Sequence, residues 1–209
     1  MYMVLTDTEI LKLVKTQTPL IENFKEESLQ SESYDLSIGS FYSKYLDDFM
    51  ILDLENQEKI NSIYRTERIP IGGLLIGPRD YVLLSVDERI NMPSNLTAHI
   101  RPRTKFTRLG LLMSSQHCNS SYSGNLNLGL FNVNPFAVII HPGMKIAQIV
   151  FEQLTDIPTK EYGGKYQHEN GTKGADLSSE FQTDKDTLKK LNGDQVAIEK
   201  YNKLVRGLK

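Results

Sequence analysis

The sequence holds one cysteine, Cys118, among 209 residues, so no disulfide can form within the chain. That fits a reducing compartment, most simply the cytoplasm, and a solitary cysteine reads first as a small buried apolar side chain. No apolar run approaches the ~20 residues of a membrane-spanning helix. Asp7 and Glu9 fall where a secretory leader would place its apolar segment. There is no Cys-x-x-Cys pair, and His99, His117, His141 and His168 have neither zinc-ligand nor helical i,i+4 spacing. A Gly-x-Ser-x-Gly elbow, a Walker loop and a Rossmann fingerprint are missing too. Serine hydrolase, P-loop, dinucleotide-binding and zinc deaminase chemistries are thereby excluded. Basic residues are scattered without interleaved aromatics and the net charge is −2, which argues against nucleic acid or an anionic membrane as partner.

One further absence is local. The stretch Gln116 to Asn132, "QHCNSSYSGNLNLGLFN", alternates like a hairpin and reads like a polar pocket wall, yet it contains none of the chain's 26 acidic residues.

A hydrophobic content of 39% and a charged content of 24% are those of an ordinary globular protein. Thr6-Asp7-Thr8-Glu9 has capping-box spacing ahead of the apolar stripe Ile10, Leu11, Leu13 and Val14, which predicts a short N-terminal helix. From about residue 32 to 158 the texture is β. Short apolar runs such as "YDLSIGSFY", "MILDL", "RIPIGGLLIGPRDYVLLSV", "LTAHIRPRT" and "FAVIIHPGMKIAQIVFEQL" recur, with turn signals at Gly77-Pro78-Arg79-Asp80 and Pro142-Gly143. This pattern predicts a mainly β barrel or sandwich. "GGKYQHENGTKG", residues 163–174, reads as a mobile polar loop. Beyond it, Tyr201, Leu204, Val205 and Leu208 lie at helical spacing. The expected organisation is a β-domain over 1–175 and a helical tail over 176–209.

"RPRTKFTRLG" packs Arg101, Arg103, Lys105 and Arg108 into eight positions with two threonines. Cations so close repel one another unless something anionic compensates them. They form either a solvated strand edge protected by charge or a phosphate cradle in which arginine supplies bidentate contacts.

The order of these segments resembles the dCTP deaminase and trimeric dUTPase superfamily, the dCTP deaminase branch above all. "SYDLSIG" is similar to that family's first motif and "RTKFTRLGL" to its second, usually Arg-Ser-Ser-x-x-Arg-Leu-Gly. "NSSYSGNLNLGLFN" resembles the third, "HPGMKIAQIVFEQL" the fourth, and "GKYQHENG" the Lys-Tyr-x-x-Gln phosphate loop. The resemblance covers about residues 4 to 175. It implies a distorted β-barrel of the dUTPase (β-clip) type that assembles as a homotrimer with sites at subunit interfaces. It further implies a deoxynucleoside triphosphate, dCTP or dUTP, bound with Mg2+ and converted to dUTP or dUMP. By position, Asp35 would sit near the metal-triphosphate. Arg103, Thr104 and Lys105 would meet phosphates, and Arg108 would lie beside the base and the catalytic water. Tyr122 would pack on the deoxyribose, Asn132 and Gly129 would line the substrate, and Lys165, Tyr166 and Gln167 would close over the phosphates.

Two departures bear on catalysis. The resemblance places the deaminases' general acid/base glutamate at Gly129 and the dUTPases' water-activating aspartate at Asn119. Asparagine can orient water but cannot take its proton at neutral pH, and glycine does neither. Loss of a positioned base costs about 10²–10⁴-fold in rate. The bare Gly129 would also leave room for a larger base. His117, two residues before Asn119 and hence on the same strand face, is the local candidate for a replacement base, or else a hydrogen-bonded structural histidine. The sequence therefore leaves open an enzyme with a rearranged site or a non-catalytic nucleotide-binding module.

Overall fold

In the computed structural model, residues 3–46 and 51–178 are described. They divide into a larger unit of residues 3–46 with 64–174 and a smaller one of 51–63 with 175–178. The larger unit opens with strand β1 (Met3–Val4) and helix α1 (Asp7–Val14). Thr6 is the N-cap residue, but the expected capping box does not close, because its side chain makes no cap hydrogen bond. Asp7 Oδ1 accepts the Thr8 N–H at 2.8 Å instead, the kind of local side-chain competition that aspartate is prone to.

Strands β2 (Ile21–Glu22) and β3 (Tyr34–Tyr45) precede the smaller unit, which contains helix α2 (Gln57–Ser62). The larger unit resumes with β4 (Tyr64–Arg68), β5 (Leu74–Ile76), β6 (Tyr81–Asn91) and β7 (Leu96–Pro102). Helix α3 (Thr104–Arg108) leads into β8 (Leu111–Met113), β9 (Gln116–Cys118), β10 (Ser123–Asn132), β11 (Val138–Ile140) and β12 (Lys145–Gln153).

The main sheet has the order β8-β10-β6-β3-β12-β7-β9, with β1 on β12, β2 on β6 and β4 on β3, while β5 and β11 pair separately. The two end strands of that order, β8 and β9, are separated in sequence only by Ser114 and Ser115. A sheet whose ends are joined by two residues has to curl back on itself. Gln116 Nε2 on β9 donates to the Asn127 carbonyl on β10 at 2.6 Å, and Ser114 N–H to the Gly129 carbonyl at 2.9 Å. This is the distorted β-barrel architecture that the strand pattern and the resemblance led us to expect.

Period-2 alternation fills the interior. Leu126, Leu128 and Leu130 of β10 are buried with Val82, Leu84 and Val86 of β6, Leu36 and Ile38 of β3, Ile149 and Phe151 of β12, and Ala98 and Ile100 of β7. Full burial of one such leucine is worth roughly 1.5–3 kcal/mol. Both sequence-marked turns form: Asp80 N–H bonds the Gly77 carbonyl at 3.2 Å and Met144 N–H the His141 carbonyl at 3.3 Å. Arg79 and Gly143 take the positive φ of 64° and 80° that these turns need.

In the smaller unit, Asn56 Oδ1 caps α2 by accepting the Lys59 N–H at 2.9 Å. Gln57 Nε2 donates to the Ala175 carbonyl at 3.0 Å, and Leu177 N–H donates to Gln57 Oε1 at 2.7 Å. Two expectations need correcting here. The described part of "MILDL" forms no strand, and a helix interrupts the β texture at Gln57, where the capping asparagine is followed by good helix formers. Of the expected helical tail over 176–209, residues 179–209 lie outside the described residues.

Candidate functional site

The cation cluster sits where β7 ends and α3 begins. Arg103 is the N-cap residue of α3, extended at φ −73° and ψ 130°, and Phe106 anchors the helix in the core. Arg103 Nη1 donates to Asp35 Oδ2 at 2.6 Å, with the two side chains 26% and 2% exposed. Gln30 Nε2 shares that oxygen at 3.4 Å, while Asp35 Oδ1 is buried and unpartnered. Two residues that the resemblance assigns to metal-triphosphate and phosphate are thus one buried ion pair, and Asp35 fixes the arginine's direction. Thr104, Lys105 and Arg108 are exposed. Among the described residues Lys105 and Arg108 have no carboxylate partner; Lys105 Nζ lies 5.5 Å from the ring of Phe106. A five-residue helix therefore projects uncompensated cations beside an arginine with a set orientation.

The wall from Asn125 to Gly129 is built on an irregularity. Register between β10 and β6 shifts between Asn125 and Asn127, which stand opposite Arg89 and Ser85. Asn125 Nδ2 fills the gap, donating to the Glu88 and Val86 carbonyls at 3.1 and 3.4 Å, so its amide is spent on backbone. Asn127 differs: both polar atoms of its side chain are buried without a hydrogen-bond partner. Gly129 is gripped by Ser114, whose Oγ accepts its N–H at 2.9 Å. The room expected at Gly129 does not exist. A Cβ built there would meet the Tyr81 hydroxyl and lie 2.9 Å from Tyr81 Cε2. Tyr81 is two residues along β6 from Leu83, the direct partner of Gly129; its ring reaches diagonally across the strands and stacks on Tyr45 at 5.5 Å.

Residues 163–174 were expected to be a mobile loop, but hydrogen bonds pin them along β10. His168 N–H bonds the Ser123 carbonyl at 2.6 Å, and Asn125 N–H bonds the Glu169 carbonyl at 2.9 Å. Gln167 Oε1 accepts the Ser123 N–H at 3.0 Å, and Gln167 Nε2 donates to the Ser121 carbonyl at 2.8 Å. Gln167 thus holds the loop to the hairpin. Lys173 Nζ bonds the Lys165 carbonyl at 2.9 Å and lies 5.7 Å from the ring centre of Tyr166, so the loop also closes on itself. It delivers one carboxyl that motif reading passed over. Glu169 is half-buried, and burial pushes its pKa up to about 7, against the lowering pull of Asn127 and Lys173. Its Oε1 is buried and makes no close hydrogen bond, yet the Asn127 amide lies near enough to favour the charged form, so loop and wall bring this carboxyl and that amide together.

Other expected residues are committed elsewhere. Tyr122 is 5% exposed, edge-on to Tyr162 at 5.9 Å, and its hydroxyl donates to the Asn125 carbonyl at 3.2 Å. Burial pushes its pKa up. Asn132 is wholly buried. Its two Nδ2 hydrogens are shared among the carbonyls of Ile76, Gly77 and Phe136 at 3.1, 3.0 and 2.9 Å, and its Oδ1 accepts the Asn134 N–H at 3.1 Å. It is a corner pin. Asn119 sits in the turn before β10, where its carbonyl accepts the Tyr122 N–H at 3.3 Å. His117 lies on β9 next to Gln116, which faces Asn127. Alternation therefore turns His117 to the opposite face, where Nδ1 is 3.4 Å from Nε2 of His99.

The cationic helix α3 leads directly into β8, which pairs with β10, the strand that carries Gly129. Residues 4–154 match the family model described as "dCTP deaminase-like", and the chain belongs to that family. It is 32% identical over 171 residues to the dCTP deaminase (dUMP-forming) of Persephonella marina, covering 81% of this chain and 94% of that protein. It is 34% identical over 167 residues to the dCTP deaminase of Pyrococcus horikoshii, covering 79% and 92% of the two chains. The fold is similar to the crystal structure of 2'-deoxycytidine 5'-triphosphate deaminase from Agrobacterium tumefaciens. That match has a TM-score of 0.59 and 18% identity, and it spans 73% of this chain and 48% of that one.

Proposed function

We propose that this protein binds a pyrimidine deoxynucleoside triphosphate, dCTP or dUTP, as a cytoplasmic homotrimer, and that its catalysis is impaired or rearranged. The observation that carries the binding half is the Asp35–Arg103 pair at 2.6 Å beside the uncompensated Lys105 and Arg108. A buried carboxylate that aims one arginine, followed by exposed cations on a short helix, suits a polyanion. The relatives named above as dCTP deaminases supply the nucleotide class.

Mg2+ is the expected companion of the triphosphate. Among the described residues no group of three or more His, Cys, Asp or Glu could hold a metal ion. The fit is therefore to an ion carried on phosphate oxygens and water, as Mg2+ commonly is. Asp35, whose Oδ2 accepts from Arg103 at 2.6 Å, would act on the ion only indirectly, by aiming the arginine that meets the phosphates. The ion's contribution would be to neutralise phosphate charge.

The observation that favours impaired turnover is Gly129. The space a glutamate would use there is filled by the Tyr81 ring, and Asn119 offers an amide in place of a carboxylate. Neither position can move a proton, and the loss is worth about 10²–10⁴-fold. A binding module that reports or buffers nucleotide is the second reading, favoured by that same filled space. The test is incubation of the purified protein with Mg2+ and each of dCTP, dUTP, dTTP and dATP, with products resolved by chromatography and thermal shift read in parallel. Stabilisation by dCTP or dUTP with slow product formation supports the proposal, stabilisation without product selects the binding module, and no stabilisation by either refutes both.

A further inference from the structure

Three strands carry a second polar cluster on the face opposite Gln116. His99 of β7 and His117 of β9 are direct cross-strand partners, although 18 residues apart in sequence. Glu152 of β12 is 4% exposed, and its Oε1 lies 3.2 Å from His99 Nδ1. Thr97 Oγ1 lies 3.3 Å from His117 Nε2 and donates to the Cys118 carbonyl at 2.9 Å.

With both rings neutral, counting hydrogens assigns the tautomers. A buried carboxylate only accepts, so His99 must keep its proton on Nδ1, and Nε2 of the neutral ring is a bare lone pair. Thr97 has one hydroxyl hydrogen, already given to Cys118, so it can only accept from His117 Nε2–H. The neutral His117 therefore carries its lone pair on Nδ1. Those two lone pairs face each other at 3.4 Å, with the rings inclined at 58°. Such a pair calls for a cation between its nitrogens. A shared proton would draw them to about 2.7–3.2 Å. Two imidazole nitrogens at about 2.0–2.1 Å from a tetrahedral zinc stand about 3.3 Å apart.

We propose that His99 and His117 form a two-histidine site for a divalent transition metal ion, zinc by preference, with Glu152 orienting His99 from behind. Imidazole suits zinc and its neighbours rather than magnesium, and a carboxylate on the far nitrogen of a ligating histidine is the usual second layer of such sites. The His99 side chain is 40% exposed and His117 is exposed, so water reaches the pair and completes the coordination. Arg101, two residues along β7 from His99, places a cation on the same face. The site shares no residue with the proposed phosphate apparatus.

The test titrates ZnCl2 into the untagged, metal-free full-length chain, by calorimetry and thermal shift, with MgCl2 as control. Co2+ in place of zinc gives a visible spectrum that reports nitrogen ligation. One zinc per chain is expected, with thermal stabilisation that Mg2+ does not reproduce. His117→Ala, an exposed position, should weaken zinc binding at least tenfold and abolish the Co2+ spectrum while leaving the metal-free melting temperature nearly unchanged. Glu152→Gln should cost about 10–100-fold in affinity. No zinc binding by the native chain would overturn the site. Zinc affinity unchanged in both His117→Ala and His99→Ala would place any metal elsewhere and overturn it too.

Discussion

The ring of Tyr81 lies over Gly129 so closely that a Cβ there would be 2.9 Å from Cε2 and 3.0 Å from Cζ. The two residues are therefore coupled: the tyrosine can occupy that space only while the strand carries no side chain at 129. Overfilling a packed site costs about 1–3 kcal/mol. Gly129→Glu should lower the unfolding free energy measured in urea by that amount, and Tyr81→Ala should restore much of it in the double variant. Equal stability of Gly129→Glu and the parent would mean that Tyr81 moves aside freely, and the filled-space argument would fail.

The Asp35–Arg103 pair makes a prediction of opposite character. With Asp35 1% exposed, Arg103→Ala leaves a buried carboxylate uncompensated, which typically costs about 3–5 kcal/mol. Replacing both residues, as Asp35→Asn with Arg103→Ala, removes the stranded charge. The double variant should then be more stable than Arg103→Ala alone, by a double-mutant cycle in urea. Nucleotide binding, read by thermal shift, should stay lost in both. If the double variant were no better than the single, Asp35 would not carry its charge in the fold.

Much of the fold was legible because strand alternation and turn chemistry are local. The β3 run, the turn at Gly77–Asp80 and the leucine face of β10 follow from period-2 patterning and from residues suited to tight turns. The roles on that strand were less legible. Asn125 and Asn127 look identical in sequence, yet one plugs the register shift against β6 and the other lies beside the Glu169 carboxyl; only pairing separates them. Tyr81 could have been found, since an aromatic diagonal to a strand glycine is a recognisable cross-strand device, but that needs the register. The pairing of His99 with His117 could not be read from spacing at all. Glu169 was hidden because the phosphate loop drew notice to Lys165, Tyr166 and Gln167, while the burial that distinguishes its neighbour arises only when the loop lies along β10.

Glu169 should make the loop's attachment depend on pH. Its pKa is raised from 4.5 to about 7, chiefly by burial, so the folded state binds the proton more tightly than the unfolded chain does. The associated stability is fully present below about pH 4.5 and is lost as pH rises through 7. Glu169→Gln keeps the group neutral throughout. The melting temperature of the native chain should therefore fall relative to Glu169→Gln between pH 5 and 8, and amide exchange in residues 164–170 should quicken over the same range. A difference between the two proteins that does not change with pH would show that Glu169 does not titrate there.

Cys118 supplies a test of the barrel itself. It lies on β9, the strand at one end of the sheet order, which would be open to reagents if the sheet did not curl. The thiol is instead 2% exposed, and burial pushes its pKa up to about 12. Only the thiolate attacks disulfide reagents, and an exposed cysteine near pKa 8.5 is about a quarter ionised at pH 8. With a pKa of about 12 the ionised fraction at pH 8 falls roughly a thousandfold further, before any steric block. The native protein should therefore leave an aromatic disulfide reagent unreacted for hours at pH 8 and release one equivalent at once in denaturing urea. Prompt reaction in the native state would mean that β9 separates from β7 readily. It would undo the packing that sets His117 against His99 as well, because both depend on the same strand pair.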